Sequence, residues 1–97
     1  MIVTITPQNF HTELLEASRQ KTIAVFFYAD QLPECRPMGQ QLEQLIGPAN
    51  PAITLAKVDV ADPQLQSLAV QLGLQALPAV VIFKNGQPAD ALMGPQE

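Results

Sequence analysis

Hydrophobic and polar residues along the chain follow a pattern that alternates between strand and helix. Near-continuous apolar runs at residues 23–29 and 79–84 predict strands that are buried on both faces of a sheet. Residues 53–60 alternate at their start and predict another strand, and the short run at residues 2–5 predicts one more. Because segments with helical spacing separate these runs, the first part of the chain predicts parallel strands joined by crossover helices.

The predicted helices have recognisable starts. A capping side chain precedes a proline at residues 6–7 and again at residues 62–63, as is typical of the first helical position. The first of these helices is predicted to reach about residue 20. Pro37 lacks an N–H group and fits only in a first turn, so the middle helix, residues 35–46, cannot begin much earlier. The predicted inner face of the middle helix consists of Met38, Leu42, Leu45 and Ile46.

A hairpin follows the last helix. Asn85 and Gly86 form the residue pair that favours a type I′ turn, so residues 87–93 are predicted to pair antiparallel with residues 79–84. The complete order is β-α-β-α-β-α-β-β, which is an α/β fold with a mixed sheet. We expect one domain over residues 1–97, with residues 47–51 as a loop.

Composition excludes several classes of function. Apolar residues make up 47% of the chain and charged residues 14%, as in a packed globular domain. The net charge of −4 argues against a nucleic-acid partner, and no apolar run reaches the roughly eighteen residues of a membrane span. One cysteine cannot form an internal disulfide, which favours a cytoplasmic location. No cluster of side chains has metal-ligand spacing, so we expect no metal and no cofactor.

The single cysteine is the chemically distinctive residue. Cys35 closes the window Leu32-Pro33-Glu34-Cys35, between a buried strand and a helix. A thiol at a helix N-terminus can be activated as a nucleophile, so Cys35 is the candidate catalytic residue. The alternative is a small side chain buried under the first helical turn and inert in apolar surroundings.

Four segments of the sequence are distinctive in combination: Val25-Phe26-Phe27-Tyr28-Ala29-Asp30, Leu55-Ala56-Lys57-Val58-Asp59, Gly73-Leu74-Gln75-Ala76-Leu77-Pro78 and Phe83-Lys84-Asn85-Gly86-Gln87-Pro88, followed by Gly94. Together they resemble the thioredoxin family, and the resemblance extends over about residues 1–94. Residues 85–90 and 94–96 look most like YbbN-type chaperedoxins, in which a thioredoxin-like domain precedes tetratricopeptide-type helices and acts as a redox-linked chaperone. The resemblance implies a thioredoxin-like fold and a chaperone or protein-binding role in redox homeostasis.

The same resemblance identifies catalytic parts that this chain lacks. Thioredoxins attack a disulfide with the first cysteine of a Cys-x-x-Cys window, and Leu32 occupies that position here. The buried acid that assists proton transfer falls at Phe26, and the tryptophan before the window is Gln31. Lys57 is therefore predicted to be a structural remnant whose carboxylate partner has become Phe26. Cys35 corresponds to the second, resolving cysteine of the Cys-x-x-Cys window. We therefore do not expect dithiol catalysis, and Cys35 would at most form mixed disulfides with clients or glutathione.

A peptide-binding site is also implied by the resemblance. The proline before the fourth strand of thioredoxins is cis and faces the window, and its preceding residue offers backbone groups to an extended peptide. The residues expected to bind substrate or peptide are Leu32, Pro33, Glu34, Leu77, Pro78 and Gly94. An apolar groove beside Cys35 is expected from Leu32, Leu74, Ala76, Leu77 and Pro78. The expected partners are client proteins or extended peptides, together with a folding chaperone.

Two alternative functions remain open. One is weak thiol–disulfide oxidoreductase activity through Cys35 with an external thiol, and the other is a purely structural docking domain. Thioredoxin domains close with a helix after the hairpin, and the sequence stops at residues 94–97, where that helix would begin. We therefore expect the native chain to continue into a final helix, or to self-associate through the uncovered face of the sheet.

Overall fold

The computed structural model describes residues 2–29, 31–46, 52–74 and 76–93, without the side chains of residues 92 and 93. The expected closing helix, the predicted loop at residues 47–51 and Gly94 lie outside these ranges. The strands and α-helices are β1 (Ile2–Thr4), β2 (Thr22–Tyr28), α1 (Cys35–Ile46), β3 (Ile53–Asp59), α2 (Pro63–Gln71), β4 (Ala79–Lys84) and β5 (Gln87–Met93). With a helical segment between β1 and β2, this confirms the predicted α/β order.

The five strands form one mixed sheet in the order β1-β3-β2-β4-β5. β1 and β2 run parallel to β3, whereas β4 runs antiparallel to β2 and β5 antiparallel to β4. Phe27, near the end of β2, therefore pairs with Ala79 at the start of β4. This register places the segment that follows β2 at the same end of the sheet as Leu77 and Pro78, which precede β4.

Two apolar layers cover the two faces of the sheet. Residues 23–27 of β2 are all buried, and because side chains alternate along a strand they contribute to both layers. One layer packs against α2 and the N-terminal helical segment; its largest fully buried members are Leu14, Ile23, Val25, Phe27, Val58 and Val81. The other layer packs against α1 and consists of Ala24, Phe26, Cys35, Met38, Leu55 and Val80.

Three of the four residues predicted for the inner face of α1 lie there. The side of the helix that faces the sheet carries Cys35, Met38, Gly39, Leu42 and Ile46. Leu45 is 68% exposed, so its predicted place on this face is wrong. At about 100° per residue, Leu45 lies roughly 80° from the direction of Cys35, at the margin of the apolar stripe. A Cβ atom on Gly39 would lie 3.1 Å from the Phe26 ring, so the glycine permits close packing of α1 on β2.

The N-terminal helical segment is not a regular α-helix, and its first helical element begins at His11, later than the predicted start at residues 6–7. Thr6 and Asn9 cap the chain reciprocally, because each backbone N–H donates to the other's side-chain oxygen, at 2.7 and 3.2 Å. A π-helix then spans His11–Glu16, and a 3₁₀-helix spans Ala17–Arg19. The backbone N–H of Ala17 reaches the carbonyl oxygens of both Leu14 and Thr12, so the hydrogen bonding changes register there.

The signals at α2 and at the hairpin are confirmed. The Asp62 carboxylate accepts a hydrogen bond from the Gln64 N–H at 2.9 Å and caps α2. Gly73 has a φ of 75° after the helix, in the left-handed region that favours glycine. Asn85 and Gly86 have φ values of 57° and 78°, as a type I′ turn requires.

Candidate functional site

The window of residues 32–35 forms a tight connection between β2 and α1. The Cys35 N–H donates to the Leu32 carbonyl at 3.1 Å, and the Arg36 N–H donates to the Pro33 carbonyl at 3.2 Å. Pro33 and Glu34 are exposed at the turn, Leu32 is half-buried and Cys35 is buried as the first residue of α1. The first three side chains of the window are thus wholly or partly accessible to solvent, whereas the Cys35 thiol is buried.

The Cys35 side chain lies in an apolar cluster. It is a free thiol that is only 3% exposed, and it packs with Phe26, Met38, Leu55 and Val80. A nucleophilic thiol has to reach its target, and this burial opposes direct attack on a protein disulfide. The geometry therefore favours the alternative in which Cys35 is a small core side chain.

Phe26 occupies the interior position at which thioredoxins are expected to hold an acid. Its ring is 2% exposed and stacks on Tyr28, with 5.3 Å between ring centroids and 12° between ring planes. In the sheet register, Phe26 pairs with Lys57 of β3. An aromatic ring cannot exchange a proton, so this position offers no acid or base to Cys35.

Lys57 nevertheless has a carboxylate partner. Its Nζ lies 3.3 Å from Oε1 of Glu43, on α1, and 5.6 Å from the centroid of the Tyr28 ring. Phe26 does stand beside Lys57 in the sheet, as predicted, but α1 supplies another carboxylate, which the prediction did not foresee. The sequence held a signal for Glu43, because residues 35, 39 and 43 follow helical spacing and share one side of α1.

A small polar pocket surrounds this ion pair. Its volume is about 180 Å³, and its lining includes Tyr28, Cys35, Arg36, Gly39, Glu43 and Lys57. Cys35 thus borders the pocket between α1 and β3. It does not border the apolar groove described next.

A separate apolar groove lies at the end of the sheet beside the window. Its volume is about 290 Å³, and its apolar lining is Leu32, Val60, Ala69, Val70, Leu74, Ala76 and Leu77, with Gln66 as the polar member. The expected grouping of Leu32 with Leu74, Ala76 and Leu77 is present. Sequence reasoning missed the contribution of α2, although Val70, which is 70% exposed, is a surface apolar residue that breaks the polar side of that helix.

The remaining expected site residues occupy different positions. The Leu77–Pro78 peptide bond is cis, the isomer that the resemblance implies. Leu77 is half-buried and lines the groove, whereas Pro78 is fully buried and does not. Gly94 lies outside the described residues. The structure therefore brings Leu32 and Leu77 together at one surface, whereas Cys35 and Pro78 are buried and do not line it.

The described part of the chain shows neither a metal site nor a membrane span. Over residues 2–29, 31–46, 52–74 and 76–93, no three His, Cys, Asp or Glu residues are grouped so that they could hold a metal ion. Within the same ranges, no helix combines the length and the apolar character needed to cross a bilayer.

Comparison with known proteins identifies the family of the chain. The family model described as Thioredoxin matches residues 1–97. The chain belongs to the thioredoxin family. It is 35% identical over 89 residues to a thioredoxin-like protein of Synechocystis sp., and the alignment covers 92% of this chain and 81% of that protein. It is 30% identical over 89 residues to a thioredoxin of Chlorobaculum thiosulfatiphilum, which covers 92% and 79% respectively.

The fold of this thioredoxin-family chain is also that of a solved relative. The crystal structure of thioredoxin O2 from Arabidopsis thaliana in the oxidized state matches with a TM-score of 0.80, over 96% of this chain and 82% of that one. The two sequences are 22% identical, so this likeness concerns the fold. With a single cysteine in its sequence, this member of the thioredoxin family lacks the Cys-x-x-Cys dithiol.

Proposed function

We propose that this thioredoxin-family domain is a non-catalytic protein-binding module of the chaperedoxin type, which holds an extended apolar segment of a client protein in the groove. The single observation that carries the proposal is the groove itself. Seven apolar side chains line a cavity beside the window, at a place where the chemistry of dithiol exchange has no nucleophile. The groove can therefore bind a client segment although the chain lacks the nucleophile for dithiol exchange.

The size of the groove favours a polypeptide side chain as its occupant. Pockets for small-molecule ligands span roughly 300–1,000 Å³, and the groove lies at the lower limit of that range. Burial of one Leu, Val or Ile side chain is worth about 1.5–3 kcal/mol. Such a site supports weak, reversible binding of extended apolar segments, as a module that holds clients for folding machinery requires.

The position of Leu77 supports an extended client. It lines the groove directly before β4, where no regular strand has yet begun. An extended segment can pair with backbone groups at such a position while its alternate side chains enter the groove. In this proposal the exposed Pro33 and Glu34 contact the client at the rim, and Pro78 supports the floor from beneath.

The oxidoreductase alternative has less support. It requires the Cys35 sulfur to attack a disulfide, and that sulfur is withdrawn into the layer under α1. It also requires an external thiol to resolve the mixed disulfide. Turnover of a protein disulfide with added glutathione that is lost in Cys35→Ser would favour this alternative over a binding module.

Redox homeostasis, a folding chaperone as partner and a cytoplasmic location belong to the same proposal. They rest on the similarity of residues 85–90 to YbbN-type chaperedoxins and on the single cysteine. The proposal predicts co-purification with a folding chaperone that depends on a loaded client.

A matched pair of exposed apolar residues tests the groove. Val70 lines it and is 70% exposed, whereas Leu45 lies on α1, does not line it, and is 68% exposed. We expect Val70→Gln to weaken binding of a reduced, alkylated and labelled unfolded protein about fivefold in fluorescence anisotropy, because an aliphatic contact is lost. Leu45→Gln should bind as the parent protein does. Equal effects of the two changes, or no binding by the parent, would contradict the proposal.

A further inference from the structure

We infer that the client segment held in the groove carries lysine or arginine residues beside its apolar anchor. This inference rests on the proposed function and adds the charge of the partner. It follows from the charged residues that neighbour the groove-lining residues in the sequence, which are all acidic.

The charge pattern is visible when each groove-lining residue is considered with its neighbours in sequence. Within two positions of a lining residue, the charged residues are all acidic: Asp30, Glu34, Asp59 and Asp62. No Lys, Arg or His occurs anywhere in residues 58–83, the segment that supplies every lining residue except Leu32. None of the five basic residues of the chain lies within two positions of a lining residue.

The described carboxylates of this set are not neutralised by a neighbouring cation. Asp59 ends β3 directly before Val60 and accepts the Ala61 N–H at 2.9 Å, and Asp62 caps α2. Glu34 is exposed at the window, two positions from Leu32. Among the described residues, the two ion pairs are His11–Glu16 and Lys57–Glu43, and neither involves these carboxylates.

The two basic residues nearest to the lining residues along the chain belong to the other pocket. Lys57 lies three positions before Val60 and pairs with Glu43, and Arg36 lies four positions after Leu32, on α1; both line the pocket of the Lys57–Glu43 pair. The lining of the groove is therefore apolar apart from Gln66, and the charged residues next to it in the sequence are acidic. A client with acidic flanks would meet like charges, whereas basic flanks would meet opposite ones.

The flanking charges of a client lie close to the anchor that enters the groove. An extended peptide advances about 3.3 Å per residue, so residues one or two positions from the anchor lie within about 7 Å of it. A flanking charge interacts with little screening with any carboxylate that lies within the Debye length of it, about 8 Å at physiological ionic strength. The carboxylates of Glu34, Asp59 and Asp62 should therefore select between clients in a salt-dependent way.

Three synthetic peptides that share one apolar core test the inference. They carry lysine, serine or glutamate at both ends, and their binding to the whole chain is measured by anisotropy at ionic strengths of about 0.02 M and 0.3 M. At low salt we expect the lysine peptide to bind about fivefold or more tightly than the glutamate peptide, with the serine peptide between them. The difference should shrink at high salt.

Isosteric variants identify the responsible carboxylates. Glu34→Gln, Asp59→Asn and Asp62→Asn remove charge and keep a side-chain oxygen as acceptor, so the cap of α2 is retained. Combined, they should abolish the preference for lysine flanks and leave binding of the serine peptide within about twofold. Asp90→Asn, on β5 and outside the groove, is the matched control and should keep the preference.

The outcomes separate the inference from the function on which it rests. Equal binding of all three peptides at low salt overturns the basic-client inference and leaves groove binding intact. Failure of all three to bind overturns both. Concentration-dependent self-association in sedimentation that Val70→Gln abolishes would assign the groove to a second copy of the chain, and this too overturns the inference.

Discussion

Lys57 and Glu43 form an ion pair between β3 and α1, with 3.3 Å between Nζ and Oε1. The strand neighbour of Lys57 in the sheet is Phe26, which has no charge to offer. The carboxylate comes instead from the helix that packs over that strand. Lys57 therefore has a carboxylate partner although Phe26 occupies the interior position of the acid.

The Lys57–Glu43 pair is expected to contribute modestly to stability. Their side chains are 26% and 39% exposed, so solvent screens the interaction. A double-mutant cycle with Glu43→Gln and Lys57→Met should give a coupling energy of about 0.5–1 kcal/mol in urea denaturation. The coupling should decrease at high salt. Glu34→Gln, at an exposed and unpaired position, is the control; a coupling of zero would show that the pair is incidental.

Restoring an acid at Phe26 is expected to damage the fold rather than recover activity. Phe26→Asp removes a ring that stacks on Tyr28 and contacts the Gly39 backbone region, and it buries a carboxylate among apolar side chains. We expect a loss of about 4 kcal/mol or more in the free energy of unfolding, against about 1–2 kcal/mol for Phe26→Leu. Thermal denaturation of both variants measures the difference. A Phe26→Asp protein as stable as Phe26→Leu would contradict the assigned packing.

Cys35 is expected to react slowly in the folded protein. Its burial requires local opening before a reagent can reach the sulfur, so alkylation should be at least about 100-fold slower than in denaturant. Cys35→Ser should be less stable than Cys35→Ala by about 1–2 kcal/mol, because it places a hydroxyl in an apolar cluster. Alkylation at the same rate in the folded and unfolded protein would instead identify an accessible thiol.

Ser18 is expected to hold the hairpin turn in place. Its buried Oγ accepts the Gly86 N–H at 2.8 Å and donates to the Leu15 carbonyl at 2.9 Å, which joins the N-terminal helical segment to a turn 68 residues away. Ser18→Ala should cost about 1–2 kcal/mol and accelerate hydrogen exchange at Gly86. Ser67→Ala, which removes an exposed hydroxyl from α2, should change stability by less than about 0.5 kcal/mol. Equal effects would show that the Ser18 contact carries no special weight.

Local signals in the sequence were sufficient for most of the fold. The proline after Asp62 and the pair Asn85-Gly86 act over a few residues, and both mark their elements correctly. The run in β2 is buried on both faces because it lies inside the sheet. The N-terminal segment was less predictable, since its π and 3₁₀ turns depend on packing and on the anchoring of Ser18 as well as on helix propensity.

The candidate site was only partly predictable for the same reason. The grouping of Leu32 with Leu77 could be inferred from the resemblance, but the addition of Val60 and Val70 depends on how α2 lies across the end of the sheet. Glu43 and Lys57 are 14 residues apart, and only the packing of α1 on β3 brings them together. Leu45 falls at the margin of an apolar stripe, where small rotations of the helix decide burial.

The sequence by itself determined the order of the elements, the hairpin and the absence of a second cysteine, because each is a property of neighbouring residues or of composition. Tertiary structure decided that the Cys35 sulfur is buried under α1, that Pro78 lies beneath the surface and that the apolar groove opens beside the window instead. The physical reason is that burial depends on contacts between residues far apart in the chain. Those contacts are set by the register of the sheet and by the helices that pack on its two faces.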